Sequence, residues 1–260
     1  MRATRPQSLI PNRELNADVR RHDEDRWLAS RFAPPDVRAS LIAIYALNYE
    51  IARTAEVVTQ PAIGDIRLAW WAEALEEIAA GKSPRAHPTL DAAASVLRAA
   101  PQTLSLWRRL IAARGKDLDA APFANWSEVE DYLDAAAGGV MRIALVACGV
   151  DPNQYTPFIA AAAQAWGATG LLRAEPHWRA RGRAAIPRAG GVRDDLVAHA
   201  HIALAQTRTH SRTLPEAAFP ALGYVKLAGA YLRAYERGGP PPPLLARQLE
   251  LVLASATGRF

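Results

Sequence analysis

Apolar residues recur along this chain at steps of three and four, the spacing of one face of an α-helix. Nowhere do they alternate at the step of two that marks a strand, so the fold class expected is all-α. Val37, Leu41, Ile44, Tyr45, Asn48, Ile51, Ala52 and Ala55 form one such face. The helix is entered through Pro34-Pro35, prolines that suit a first turn, and Gln60-Pro61 breaks it. Before it, Leu15 to Phe32 reads as a charged helix. After it, Ile63 to Ala80 has Ile66, Trp70, Trp71, Leu75 and Ile78 as its inner stripe, with Gly81 as the stop. Shorter helices follow at Thr89 to Ala99 and Gln102 to Arg114.

Ser127-Glu-Val-Glu130 has the form of a capping box and predicts the start of a long helix reaching Cys148. Gly138 and Gly139 fall in its middle, where each would cost about 1 kcal/mol if exposed. They point instead to close approach of another helix or a ligand. Tyr155 to Arg173 is the next helix, rich in small residues (Ala160 to Ala163, Gly167, Gly170), and an irregular Arg-rich loop is expected from there to Gly191. Helices at Asp194 to Ser211 and Leu222 to Arg237 follow. Gly238-Gly-Pro-Pro-Pro-Pro243 reads as a hinge or stiff spacer before a last helix from Leu244 to Ala256.

The 260 residues show no internal repeat and no second hydrophobic unit, which favours one domain. The organisation expected is a flexible stretch 1–14, a helical domain 15–237, a linker 238–243 and a C-terminal helix 244–260. A formal charge of +5, carried by arginine far more than by Lys82, Lys116 and Lys226, favours phosphates, anionic lipid or an acidic protein face. A merely solvated basic surface explains it equally well. A lone cysteine, Cys148, excludes an internal disulfide and a cysteine-built zinc site, and its apolar surroundings predict a buried structural thiol. No stretch of bilayer-spanning length is free of charge. The basic N-terminus has no apolar core and is read as a disordered bacterial segment rather than a secretory signal or a short transit peptide. The location expected is the cytoplasm, with peripheral contact at the inner membrane.

Four stretches carry a resemblance. They are Ile44-Tyr-Ala-Leu-Asn-Tyr-Glu-Ile-Ala-Arg53, Arg67-Leu-Ala-Trp-Trp71, Ala137-Gly-Gly-Val140, and Leu172-Arg173 with Arg181-Gly-Arg183 and Pro187. In that order and spacing the chain resembles the squalene/phytoene synthase family over roughly residues 20 to 235. The resemblance implies a single helical bundle of the isoprenoid synthase type around a central apolar cavity. Active members join two prenyl diphosphates through magnesium ions held by paired aspartates. Magnesium takes oxygen ligands in near-octahedral geometry, and carboxylates four apart on a helix share a face. Carried over by position, the aspartates fall on Ala52 and Glu56, and on Ala174 and Trp178 with His177 beside it; Glu175 is one position off the frame. Ala46-Leu-Asn-Tyr-Glu-Ile-Ala52 and Leu172-Arg-Ala-Glu-Pro176 are similar to the superfamily branch associated with respiratory complex I assembly. That similarity implies a non-catalytic helper that binds complex I subunits or an isoprenoid-like lipid, with no metal ligand and no cofactor. The alternative is a prenyltransferase with a degenerate metal site, needing Mg2+. A passive lipid carrier is a third reading.

The ligand-binding residues expected on this basis are Tyr45, Asn48, Arg67, Trp71, Gly138, Arg173, Arg181 and Arg183. Glu50, in a largely apolar helix, needs a cation such as Arg53 or Arg67, since an unpaired buried carboxylate costs several kcal/mol; a retained functional role is the other reading. Arg67 suits either that pairing or a ligand. Arg173, Arg179, Arg181, Arg183 and Arg188 have the forked donors to grip phosphate without metal, or form a solvated loop. Trp70 and Trp71 read as core, or one of them as cavity lining. His199 and His201, two apart on a helix, face different directions and make a poor metal pair. No nucleic-acid module is recognisable.

Overall fold

The computed structural model describes residues 13–119, 121–180 and 193–258, and among these there are helices and turns but no strand. Asp23 leaves helical geometry (φ −140°, ψ 57°) and takes a hydrogen bond from Arg26 at 2.7 Å. The helix expected over 15–32 is therefore two, α1 (Arg13–His22) and α2 (Glu24–Ser30). Next come α3 (Pro35–Ala52) and, after an interruption at Arg53, the short α4 (Thr54–Val57). α5 (Pro61–Ala79) is stopped by Gly81 at φ 85°, a left-handed conformation that glycine adopts without a side-chain clash. α6 (Pro88–Ala99) and α7 (Leu104–Arg114) follow, the first capped by the His87 ring, which accepts from the Thr89 amide at 3.2 Å.

α8 (Trp126–Leu133) begins two residues earlier than the Ser127 pattern implied. Asn125 is the cap: its Oδ1 accepts from the Glu128 amide at 3.0 Å, while Glu128 accepts from the Ala124 amide at 2.5 Å. The reciprocal logic of a capping box holds, built on different residues. A π-helical turn, Asp134–Gly138, joins α8 to α9 (Gly139–Ala147). α10 (Thr156–Ala180) runs on past Arg173 and through Pro176, so the first part of the expected loop is helix. α11 (Arg193–His210) follows. The helix expected over 222–237 is instead α12 (Phe219–Leu222), a 3-10 stretch Gly223–Leu227, and α13 (Ala228–Glu236). α14 (Leu244–Thr257) completes the described chain.

Every residue of α3 from Leu41 to Asn48 is buried. A helix apolar on all sides belongs in the middle, and α3 packs against α1, α6 and α9. On α5 the buried face runs through Gly64, Leu68, Trp71, Leu75 and Ile78. Ile66, expected on that stripe, is 71% exposed: it lies two positions before Leu68, on the other side of the helix. Two apolar clusters result, one centred on α3, α5, α6 and α9, the other on α8, α10, α11 and α13. Trp166 of α10 packs against both. Glycines let the helices of the second cluster close up. A Cβ on Gly167 would stand 2.6 Å from Leu133 Cδ2, and one on Gly138 3.2 Å from the Ala163 Cβ.

Cys148 is half-buried at the edge of the first cluster rather than fully enclosed, and burial pushes its thiol up to about 12. α14 folds back on the bundle through Leu251 and Ala254, while Arg247 donates to Asp25 at 2.6 Å and Glu24 at 2.5 Å.

Candidate functional site

A cavity of about 440 Å³ opens at the seam between the two apolar clusters. That is the scale of a small-molecule pocket. One wall comes from the end of α3 and from α4, with Ala52, Ala55 and Glu56. Facing it is α10, with Trp166, Gly167, Gly170, Leu171, Ala174 and Trp178. These α10 positions recur at three- and four-residue steps, so one face of a single helix supplies them. The positions Ala52, Glu56, Ala174 and Trp178, far apart in sequence, thus meet around one space. Three of them present hydrocarbon or indole. Glu56 lies exposed at the edge.

The opposite end is polar, and its residues were not among those singled out in the sequence. Arg114, at the end of α7, donates to Asp117 Oδ2 at 3.1 Å and to the Tyr132 hydroxyl at 2.7 Å. Tyr132 in turn donates to Asp117 Oδ1 at 2.7 Å. Both carboxylate oxygens are engaged. Burial raises the Tyr132 phenol well above its ordinary value, so it stays protonated and keeps donating. Burial alone would lower Arg114, but Tyr132 and Asp117 outweigh it and the guanidinium is held more firmly charged. Arg26 of α2 also lines the cavity. Burial opposes its charge too, and Asp23 and Tyr224 restore it; its guanidinium lies over the Tyr224 ring at 4.8 Å. The Nε atoms of Arg26 and Arg114 are buried with no protein acceptor.

The remaining expected site residues are distributed differently. Tyr45, Asn48 and Trp71 are core residues outside the cavity lining, and Tyr45 Oη, Asn48 Oδ1 and Trp71 Nε1 have no protein hydrogen-bond partner. Arg67 stands 3.6 Å from Glu50, and Arg53 donates to the same carboxylate at 3.2 Å, so Glu50 meets both expected cations. Gly138 faces Ala163 of α10. Arg173 turns away from the cavity, over the Tyr231 ring at 3.9 Å and 4.0 Å from Asp25. Arg179 pairs with Glu175 on its own helix. Arg181, Arg183, Arg188 and the His177 side chain lie outside the described residues. His199 stacks on Trp126 and meets Gln164 at 3.1 Å, whereas His201 meets Glu236 at 2.9 Å; the two rings serve separate contacts. Burial lowers the His199 pKa, against an opposing pull from Glu130.

Among the described residues there is no group of three or more His, Cys, Asp or Glu side chains placed to hold a metal, and no helix long and apolar enough to cross a membrane. The lining combines apolar walls, with small residues along one side, and guanidinium, carboxylate and phenol groups at one end. It suits a molecule with an apolar body and a polar end.

Comparison with known proteins fixes the lineage. The chain is 25% identical to the mouse NADH dehydrogenase (ubiquinone) complex I assembly factor 6, over 84% of this chain and 72% of that one. It is 24% identical to the human protein of the same name, over 78% and 67%. A squalene synthase from Alicyclobacillus acidocaldarius shares the fold with a TM-score of 0.66 at 19% identity, covering 94% of this chain and 93% of that one. A dehydrosqualene synthase solved with a ligand gives 0.65 at 16%, covering 94% of each. The family model for squalene/phytoene synthase matches residues 19–190, and the chain belongs to that family.

Proposed function

We propose that this protein is a non-catalytic member of its family that assists assembly of respiratory complex I, working at a membrane surface and using the cavity to hold an isoprenoid-like lipid or a segment of a complex I subunit. The observation that carries this reading is the chemistry of the cavity lining. Ala52, Ala174 and Trp178 offer no oxygen to a cation, and the carboxylate of Asp117 is already bound by Arg114 and Tyr132. Magnesium needs several oxygen ligands at once to offset a leaving diphosphate. The described residues do not fit such a cluster, so no step is routed through one. What they fit is binding. The apolar walls exclude water from a hydrocarbon chain, and the buried Nε atoms of Arg26 and Arg114 offer donors to a polar end. The names of the mouse and human relatives supply the process.

The test is genetic and chemical together. Deleting the gene in its host should lower NADH-driven respiration by isolated membranes while succinate-driven respiration persists. Wild type and Glu56→Gln should restore it equally, because Glu56 holds no metal in this reading. Unchanged NADH respiration in the deletion strain would remove the assembly role. A Glu56→Gln protein that folds but fails to complement would favour a metal-dependent activity instead.

A further inference from the structure

α14 is apolar on both sides. Leu251 and Ala254 pack on the bundle, yet Leu245, Leu249, Val252 and Leu253 are 78%, 59%, 53% and 55% exposed. Positions 245, 249, 252 and 253 follow helical spacing, so the bare side chains form one stripe opposite the packed face. Single exposed leucines are ordinary; a continuous stripe of four is not.

Beside the stripe lies a basic recess. Leu204, Thr207, Arg208, Lys226, Gly229, Arg233 and Glu250 are among the residues lining a small pocket between α11, α13 and α14. Glu250 stands three residues before Leu253 on α14, which ties recess and stripe to the same part of the helix. Two guanidinium groups converge over Gly229: a Cβ there would stand 3.4 Å from Arg233 Nη1 and 3.9 Å from Arg208 Nη2. Like charges repel, so this arrangement is unfavourable without a counter-charge. Among the described residues, none of Arg208, Lys226 and Arg233 makes an ion pair with a carboxylate, Glu250 included. An apolar stripe flanked by a recess whose three cations outnumber its one carboxylate, Glu250, matches the two layers of a membrane surface, acyl chains below and phosphate above.

The geometry points to α14 as the face by which this protein seats on a bilayer carrying anionic phospholipid, with Leu245, Leu249, Val252 and Leu253 entering the acyl region and Arg208, Lys226 and Arg233 meeting headgroup phosphate. The inference deepens the proposed role and rests on it for the membrane setting; its own test is physical and independent of respiration. The full chain is floated with vesicles of phosphatidylcholine alone and with vesicles containing phosphatidylglycerol. Binding is expected only to the second, and it should weaken as salt rises. Leu249→Asp with Leu253→Asp should lower binding by at least about tenfold. Arg208→Gln with Arg233→Gln should lower it roughly thirtyfold, at 1 kcal/mol for each cation near an anionic surface. These four side chains are exposed, so unfolding midpoints should stay near wild type and certify the variants. Equal binding to both vesicle types, no binding to either, or binding that survives both pairs of substitutions overturns the proposal. So does a wild-type dimer that Leu249→Asp with Leu253→Asp splits into monomers, since a second copy would then cover the stripe. Absent vesicle binding with NADH respiration still dependent on the gene would sink the docking face and leave the assembly role standing.

Discussion

The two ends of the cavity differ in a way that composition alone would not show. The wall made by α3, α4 and α10 is poor in oxygen: Ala52, Ala55, Gly170 and Ala174 are small and apolar, and Trp178 is a broad indole. The end made by Arg114, Asp117 and Tyr132 has charge and a carboxylate, but its groups answer one another through three hydrogen bonds of 2.7 to 3.1 Å. One region has room and a single carboxylate, Glu56, at its exposed edge; the other has a carboxylate that Arg114 and Tyr132 already hold. A cation site needs room and several free oxygens together. Cavity shape is therefore a poor guide to chemistry in this fold: the bundle supplies the space, and the side chains on its walls decide what that space can bind.

The largest effect should come from breaking the polar end. Asp117→Ala leaves the half-buried Arg114 charge and the buried Tyr132 hydroxyl without their acceptor. Such a loss should cost about 3–5 kcal/mol in unfolding free energy by urea titration; a cost below about 1 kcal/mol would mean the network is solvated rather than structural.

Next in size is steric pressure on the apolar wall. Gly167→Val drives branched carbons into Leu133, whose Cδ2 would already lie 2.6 Å from a Cβ. We expect about 2 kcal/mol of destabilisation and a smaller cavity. A neutral result would mean that α8 and α10 separate easily. Tyr132→Phe keeps the ring and removes one hydroxyl, for about 1 kcal/mol at neutral pH.

The same residue gives a pH test. The Tyr132 phenol lies above its ordinary 10.0 in the fold because of burial. A group raised on folding contributes its stability below the unfolded value and loses it as pH climbs from there toward the folded one. The wild type should weaken above pH 10.0, and Tyr132→Phe should weaken less steeply. Identical alkaline slopes would show that this phenol titrates freely.

The smallest effect sharpens the contrast from the other side. Installing Ala52→Asp, Ala174→Asp and Trp178→Asp together should create a Mg2+-dependent rise in thermal midpoint that the wild type lacks. Its worth should be roughly 1 kcal/mol at millimolar Mg2+. No response in the variant would mean that these positions do not converge as the cavity implies.

Much of this architecture was legible in the sequence. Periodicity located α3, α5, α6, α7 and α11 because each buries a stripe at helical spacing, and the motif order pointed to the family. What escaped has physical causes. The helix expected to end at Arg173 continues through Pro176 to Ala180, because tertiary packing can override a local preference. Ser127 and Asn125 carry equivalent capping oxygens, and only the fold decides which is used. Ile66 shows that apolar character does not fix a helix face when neighbouring positions serve as well. Of the site, the four carried-over positions do meet at one cavity. The Arg114, Asp117 and Tyr132 cluster was invisible, because its members come from separate elements and form no local motif. Arg26 hid among the many arginines of a charged helix.

The most direct measurement is turnover itself. Purified protein is incubated with Mg2+ and farnesyl or geranylgeranyl diphosphate while pyrophosphate is followed over many enzyme equivalents. Release no faster than in buffer with Mg2+ is the result predicted from a cavity with its oxygen ligands missing or engaged. Sustained release abolished by chelating the metal would contradict it.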